Sequence, residues 1–220
     1  MSPRLDSEAG TVEIFDITLP IHPDMLHWGK KPEITTVESI AAGDASNVTR
    51  WLIGAHTGTH VDAPLHFKDG ELPVDKIDLD ILVGPAVVLD LTNIEGQVGA
   101  AELEAAGLGD AERVILKTVN STTALRALEK PTEWVGLSPD GAELLRTRGV
   151  KIVAIDYLTL ESPENTVEWD THHALLPNGI IILEGLDLSE IEPGPYELVC
   201  LPMKLQDSEA APARTVLIRR

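Results

Sequence analysis

The stretch His56-Thr57-Gly58-Thr59-His60-Val61-Asp62-Ala63-Pro64-Leu65-His66 decides how this 220-residue chain is read. Three of the seven histidines and one carboxylate fall within eleven residues, a density that chance scatter rarely gives. Imidazole and carboxylate together are the usual ligand set for zinc, manganese or iron in a hydrolytic site. His56 and His60 are four apart, the spacing of two ligands on one helix face, and Asp62 follows two further on. Gly58 and the β-branched Thr57 and Thr59 weaken a helix, and a loop leaving a strand end serves equally well. Pro64 ends any short turn. In either geometry His56, His60 and Asp62 can converge on one ion. Asp62 has two oxygens and can bridge to a second ion. His66 is placed either as a further ligand or beside the metal, moving protons.

Working outward, composition sets the frame. A hydrophobic fraction of 43% and a charged fraction of 24% are ordinary for a soluble globular protein. The net charge of −19 argues against nucleic-acid binding and against an anionic membrane surface, both of which need a basic face. The single Cys200 lies in the apolar run Tyr196-Glu197-Leu198-Val199-Cys200-Leu201 and reads as a buried, inert thiol. One cysteine allows no intrachain disulfide, which suits a reducing, cytoplasmic compartment. Residues 1–10 are polar and lack the apolar core of a signal peptide, and no stretch approaches the ~18 apolar residues of a membrane span. The expectation is a disordered tail over 1–11 and a single domain over 12–220. With aromatics at 4%, each of the four tryptophans matters.

Periodicity predicts a strand-rich chain. Strands are expected over Val12–Ile17, Thr49–Ile53, Ala86–Leu91, Arg113–Lys117, Lys151–Ile155, Ile180–Leu183, Glu197–Leu201 and Arg214–Ile218. Ala100–Ala106 reads as a short helix closed by Gly107. Ser138-Pro139-Asp140 opens another that Gly149 ends. Glu209-Ala210-Ala211-Pro212 reads as a loop before the last strand. Helices interleave with strands only in the middle third and both termini contribute strands, which fits a mixed α/β or α+β domain on a β-core and not a doubly wound sheet.

A second group lies at Asp170-Thr171-His172-His173 and at Glu184 in Ile182-Leu183-Glu184-Gly185. Two adjacent histidines occur equally well on a surface. Glu184 is more pointed, because it ends the buried apolar run Ile180–Leu183. A carboxylate there is costly unless it is paired or bound to a cation. A metal site needing ligands beyond the first cluster explains both.

The pattern His56-x-Gly-Thr-His60-x-Asp62-x-Pro-x-His66 resembles the signature of the bacterial cyclase family of metal-dependent hydrolases, whose best-known activity is kynurenine formamidase. Other members open lactones, cyclic amides or the isatin ring. The likeness runs from about Phe15 to Leu217. It includes Phe15-Asp16-Ile17-Thr18, His27-Trp28-Gly29, Val153-Ala154-Ile155-Asp156-Tyr157, Leu183-Glu184-Gly185-Leu186-Asp187-Leu188 and Tyr196-Glu197-Leu198 to Leu201-Pro202. The resemblance implies a small β-barrel-like core flanked by helices, of the swivelling β/β/α type, assembled as a homodimer or homotetramer. It implies two divalent ions, zinc or manganese, and no nucleotide or organic cofactor. His56, His60 and Asp62 match the first ligand set. His172 and Glu184 match the second, with Asp62 and Glu184 shared; His173 competes with His172, and the twelve-residue spacing favours His172. His66 matches the proton donor and acceptor, and Trp28 an aromatic that packs on the substrate ring.

By that resemblance the expected reaction is hydrolysis of a C–N amide bond by hydroxide generated at the metal, with N-formyl-L-kynurenine as the leading small-molecule substrate. A related enzyme opening a lactone, lactam or isatin-like ring shares every catalytic residue. A non-catalytic metal-binding protein is the reading of another class, and the intact ligands and His66 speak against it. Two departures touch the pocket. Formamidases of the family carry a Trp-Pro-Gly-Asp-like stretch where this chain has Trp28-Gly29-Lys30-Lys31. They also carry a serine-containing loop where it has Tyr157-Leu158-Thr159-Leu160-Glu161. Serine hydrolysis lacks its Gly-x-Ser-x-Gly elbow, and neither Gly-x-Gly-x-x-Gly nor a P-loop is present.

Overall fold

The computed structural model describes residues 12–220. The expected tail over 1–11 lies outside the described residues. In chain order the strands are β1 (Glu13–Asp16), β2 (Glu33–Glu38), β3 (Val48–Leu52), β4 (His60–Asp62), β5 (Val83–Asp90), β6 (Gln97–Val98), β7 (Arg113–Lys117), β8 (Gly136–Leu137), β9 (Ile152–Ile155), β10 (Ile181–Glu184), β11 (Gly194–Pro202) and β12 (Ala210–Arg219). The helices are α1 (Leu79–Leu82), α2 (Ala100–Ala105), α3 (Pro139–Thr147) and α4 (Asp170–Leu175).

The main sheet runs β1-β12-β11-β5-β7-β9-β10-β4, and β4 also pairs with β12. That extra pairing closes seven strands into a barrel, with β1 attached outside the ring on β12. The β5-β7-β9-β10 arc is parallel and the rest antiparallel. Parallel neighbours need long crossovers, and α2, α3 and α4 supply them in turn. The strand-rich core is as the periodicity predicts, but helices are not confined to the middle third: α4 at Asp170–Leu175 lies beyond it and has no side-chain cap to announce it.

Two apolar clusters divide the layers. Val61, Ala86, Val88, Ile115, Ile152, Ala154, Ile181, Leu183, Leu198, Cys200, Ala211 and Leu217 fill the barrel interior. The alternate residues Leu89, Val114, Leu116, Val153, Ile155 and Ile182 face outward against Leu103 of α2, Leu145 of α3 and Leu175 of α4. Strands β7 and β9 are therefore buried on both faces, which is why they read as unbroken apolar runs. Helix α3 starts as expected: the Ser138 hydroxyl caps the Gly141 N–H at 3.2 Å and Pro139 takes the first turn.

Several elements differ from expectation. Ala210–Pro212, read as a loop, is the first part of β12 and pairs with β4. Pro212 fits because the ladder uses its carbonyl, which accepts from Met203 N at 2.9 Å, and needs no N–H from it. Strand β2, unforeseen, pairs with β3 as a separate antiparallel hairpin whose residues are all exposed. Ile34, Val37, Val48, Trp51 and Leu52 stand open on it.

Candidate metal centre

Barrel closure builds the site. In the β4–β10 pair His60 lies opposite Glu184, and Asp62 opposite Ile182. Val61 and Leu183 point into the barrel. The period-two alternation then turns His60, Asp62 and Glu184 to the outer face, toward α4. The expected helix or loop at His60–Asp62 is corrected to a three-residue strand. Pairing with β10 on one side and β12 on the other outweighs the weak local preference. His56 stands in the turn ahead of β4. Gly185, at φ +72°, lets that turn come close: a Cβ there would sit 2.5 Å from Gly58 O.

The side chains converge. His60 Nε2 lies 3.4 Å from both Asp62 Oδ1 and Glu184 Oε2. His172 Nε2 reaches from α4 to 3.3 Å from Glu184 Oε1 and 4.0 Å from Asp62 Oδ2. His56 Nδ1 is 2.8 Å from Asp62 Oδ1. The His66 ring lies 4.2 Å from the His56 ring, and His56, Asp62 and His66 form one group able to hold an ion; His60, Asp62 and Glu184 form another. All six residues singled out from the sequence therefore meet. His172 enters the site and is 2% exposed, whereas His173 is exposed and packs edge-on against Phe67.

A divalent cation fits this donor set. His60 Nε2 and Asp62 Oδ1 are buried and make no hydrogen bond. Ligand atoms about 2.0–2.1 Å from a tetrahedral ion stand roughly 3.3 Å apart, the spacing found here. The far sides of two rings are held: Gly58 O faces His60 Nδ1 at 3.0 Å and Glu161 Oε2 faces His172 Nδ1 at 2.8 Å, whereas His56 Nε2 lies 3.4 Å from Glu209 Oε1 without a hydrogen bond. Metal-binding histidines ordinarily carry such partners.

The electrostatics point the same way. Burial opposes protonation of His60, but Asp62 and Glu184 outweigh it and lift the imidazole to about 9. Burial likewise opposes protonation of His172, yet Glu161 and Glu184 raise it to about 10. Burial alone would raise Asp62, but His60 and His56 hold it well below the usual carboxylate range. This surplus of negative charge is what a divalent ion neutralises. His66 differs: burial depresses it, and nearby His56 and His172 add to that against Asp62. It is therefore a neutral base near neutral pH.

The centre floors a cavity of about 520 Å³, walled by Trp28, Phe67, Trp169, Leu158 and Thr159. Trp28 lines it as expected and also packs edge-on against Trp134 and Trp169, with Lys130 Nζ 3.2 Å above its ring. Trp134 stacks in turn on buried Tyr157. Among the described residues, Lys30 is the one lysine or arginine in the lining, and the only carboxylates there are Asp62 and Glu184. Sequence reasoning missed Phe67, Trp169, Glu161 and Glu209. The scarcity of tryptophan was the one signal available, since three of the four meet at this wall.

A family model described as "Putative cyclase" matches residues 15–162. The chain belongs to the cyclase family. A kynurenine formamidase of Bacillus thuringiensis (strain Al Hakam) is 34% identical over 209 residues, spanning 94% of this chain and 98% of that protein. A solved predicted metal-dependent hydrolase from Bacillus stearothermophilus is 31% identical with a TM-score of 0.83, covering 96% of this chain and all (100%) of the other. Isatin hydrolase A from Labrenzia aggregata shares the fold at 20% identity, with a TM-score of 0.82 over 94% of this chain and 93% of its own. This cyclase-family chain is a hydrolytic enzyme, and its converging histidines and carboxylates suit a divalent metal.

Proposed function

We propose that this enzyme is an arylformamidase that converts N-formyl-L-kynurenine and water into L-kynurenine and formate. The observation that carries the reading is the convergence of His56, His60, Asp62, His172 and Glu184 beside His66, at the floor of an aromatic-walled cavity. Two ions, zinc or manganese, are proposed, with His56, His60 and Asp62 as the first ligand set, His172 and Glu184 as the second, and Asp62 and Glu184 shared between them. Bound divalent metal supplies Lewis-acid polarisation of a carbonyl and lowers the pKa of a neighbouring water. Trp28, Phe67 and Trp169 bind the aryl ring and exclude water. His66 takes a proton from the attacking water and delivers it to the departing aniline nitrogen.

The test is hydrolysis of N-formyl-L-kynurenine by metal-loaded protein beside a chelated sample. Fast, chelator-sensitive turnover establishes the activity. Absence of turnover by protein that demonstrably holds metal turns the reading to ring opening of a lactam, lactone or isatin-like substrate. Lys30 in the lining offers a cation to a carboxylate under either reading.

A homo-oligomer in a reducing, cytoplasmic compartment belongs to the same proposal. The β2–β3 hairpin supports the assembly, since a two-stranded ribbon is marginal alone in water and this one bares Ile34, Trp51 and Leu52. Through Gly54 and Ala55 it runs directly into the pocket lining, so a second copy seated on it would brace the His56 turn. Sedimentation of wild type and of Trp51→Glu checks this, with loss of the oligomer expected in the variant.

A further inference from the structure

Glu161 lies outside every ligand set and is wholly buried. It follows β9 in the segment that leads away from the barrel, and its carboxylate meets three donors from the first turn of α4. Oε1 accepts from Thr171 N at 3.2 Å. Oε2 accepts from His172 N at 3.2 Å and lies 2.8 Å from His172 Nδ1. Helix α4 needs such an acceptor. It starts behind Trp169, a left-handed residue at φ 56° that gives no side-chain cap. The carboxylate therefore satisfies orphan helix N–H groups and grips the imidazole with the same oxygens.

The grip decides a protonation pattern. A carboxylate only accepts, and an imidazole that serves as a metal ligand gives up one proton and keeps a single N–H. That N–H must be on Nδ1, which leaves the Nε2 lone pair facing Glu184 and Asp62. With the N–H on Nε2 instead, His172 would present a proton where the cation is to sit. The support for Glu161 is itself fixed. Trp134 Nε1 donates to Glu161 O at 2.7 Å, and Leu137 N donates to Leu160 O at 2.8 Å. A Cβ on Gly136 would lie 2.4 Å from Ser162 N, so only glycine lets β8 press this close. The preceding residue completes the arrangement, because Leu160 N donates to Glu184 Oε1 at 2.6 Å. Two consecutive residues thus brace the ligand on the barrel wall and the ligand on the helix.

We propose that Glu161 is a positioning residue that sets the metal-binding tautomer of His172 and, through it, the affinity of the Asp62–His172–Glu184 side of the centre. The proposal rests on His172 being a metal ligand. Two measurements test it. Side-chain nitrogen NMR of the zinc-loaded protein, with His172 assigned from the His172→Gln variant, is expected to show an Nδ1–H tautomer with Nε2 on the metal. An Nε2–H tautomer overturns the proposal. Zinc titration against a chromophoric chelator is expected to show Glu161→Gln weakening one binding step by roughly 10–100-fold while the other is unchanged. In a His172→Ala background the same substitution is expected to add nothing, since its effect passes through the ring. Wild-type affinity in Glu161→Gln, or an equal loss in both backgrounds, overturns it. Wild-type protein that takes up no zinc at all defeats the metal-centre reading instead, a separate result.

Discussion

His60 and Glu184 are direct cross-strand partners of β4 and β10, and His60 Nε2 stands 3.4 Å from Glu184 Oε2 without a hydrogen bond. One ligand from each strand at the same register position means that the strand pairing itself sets their separation. His60→Ala is expected to abolish stoichiometric metal binding while the barrel still forms. Metal analysis after dialysis, beside circular dichroism, checks this; a fully loaded variant would remove His60 from the ligand set.

His66 borders the same cluster but is depressed by burial, the property of a proton carrier. His66→Ala is expected to keep its metal and to lose about 10²–10⁴-fold in turnover, the range for a general acid–base group. Metal content and kcat measured on one preparation separate the roles. If metal departs along with activity, His66 is a ligand.

Lys30 lines a pocket whose only carboxylates among the described residues are Asp62 and Glu184, so a substrate carboxylate has a cationic partner there. Lys30→Glu is expected to raise KM for carboxylate-bearing aryl formamides and to leave neutral formanilide almost unchanged. Parallel kinetics on the two substrates read the difference directly. An equal rise for both would point to a change of pocket shape and not of charge.

Asp156 supplies a pH-dependent stability term away from the metal. Burial pushes its carboxyl up to about 6, although Thr118 and Ser121 donate to it. The folded pKa lies above the unfolded value of 3.8, so folding takes up a proton between the two. The stabilisation from this group is complete below 3.8 and is lost as pH rises through about 6. Asp156→Asn forfeits acceptor sites by a constant amount but cannot titrate. The difference in Tm, variant minus wild type, is therefore expected to grow from pH 4 to pH 7. The histidine titrations common to both proteins cancel in that difference, and a flat result would show that Asp156 is ionised throughout.

Much of the centre was legible because its chemistry is local. His56, His60, Asp62 and His66 are crowded within one turn and one short strand, and Glu184 betrays itself as a charge ending an apolar run. The parallel strands were equally plain, since β7 and β9 are buried on both faces. What stayed hidden depends on contacts across the chain. Strand β4 has three residues and forms because β10 and β12 flank it. Ala210-Ala211-Pro212 has poor strand propensity and is held by the ladder. The β2 hairpin has no buried face and so no alternation to read. Glu161 looks like any surface glutamate until Thr171 and His172 fold onto it.

Strand β12 has a consequence for synthesis. It takes β4 at Ala210–Pro212 and β1 at Asp16 to Glu13, so the ring closes on a strand made after all the others described. His60 and Asp62 leave the ribosome well before either neighbour of their strand exists. Until then β4 has no ladder, and its imidazole and carboxylate hang on an unpaired three-residue segment. Such non-local pairing delays assembly to a late step. Deleting β12 should therefore abolish metal uptake even though it carries no ligand, and a nascent chain halted before Ala210 should remain unable to take up metal.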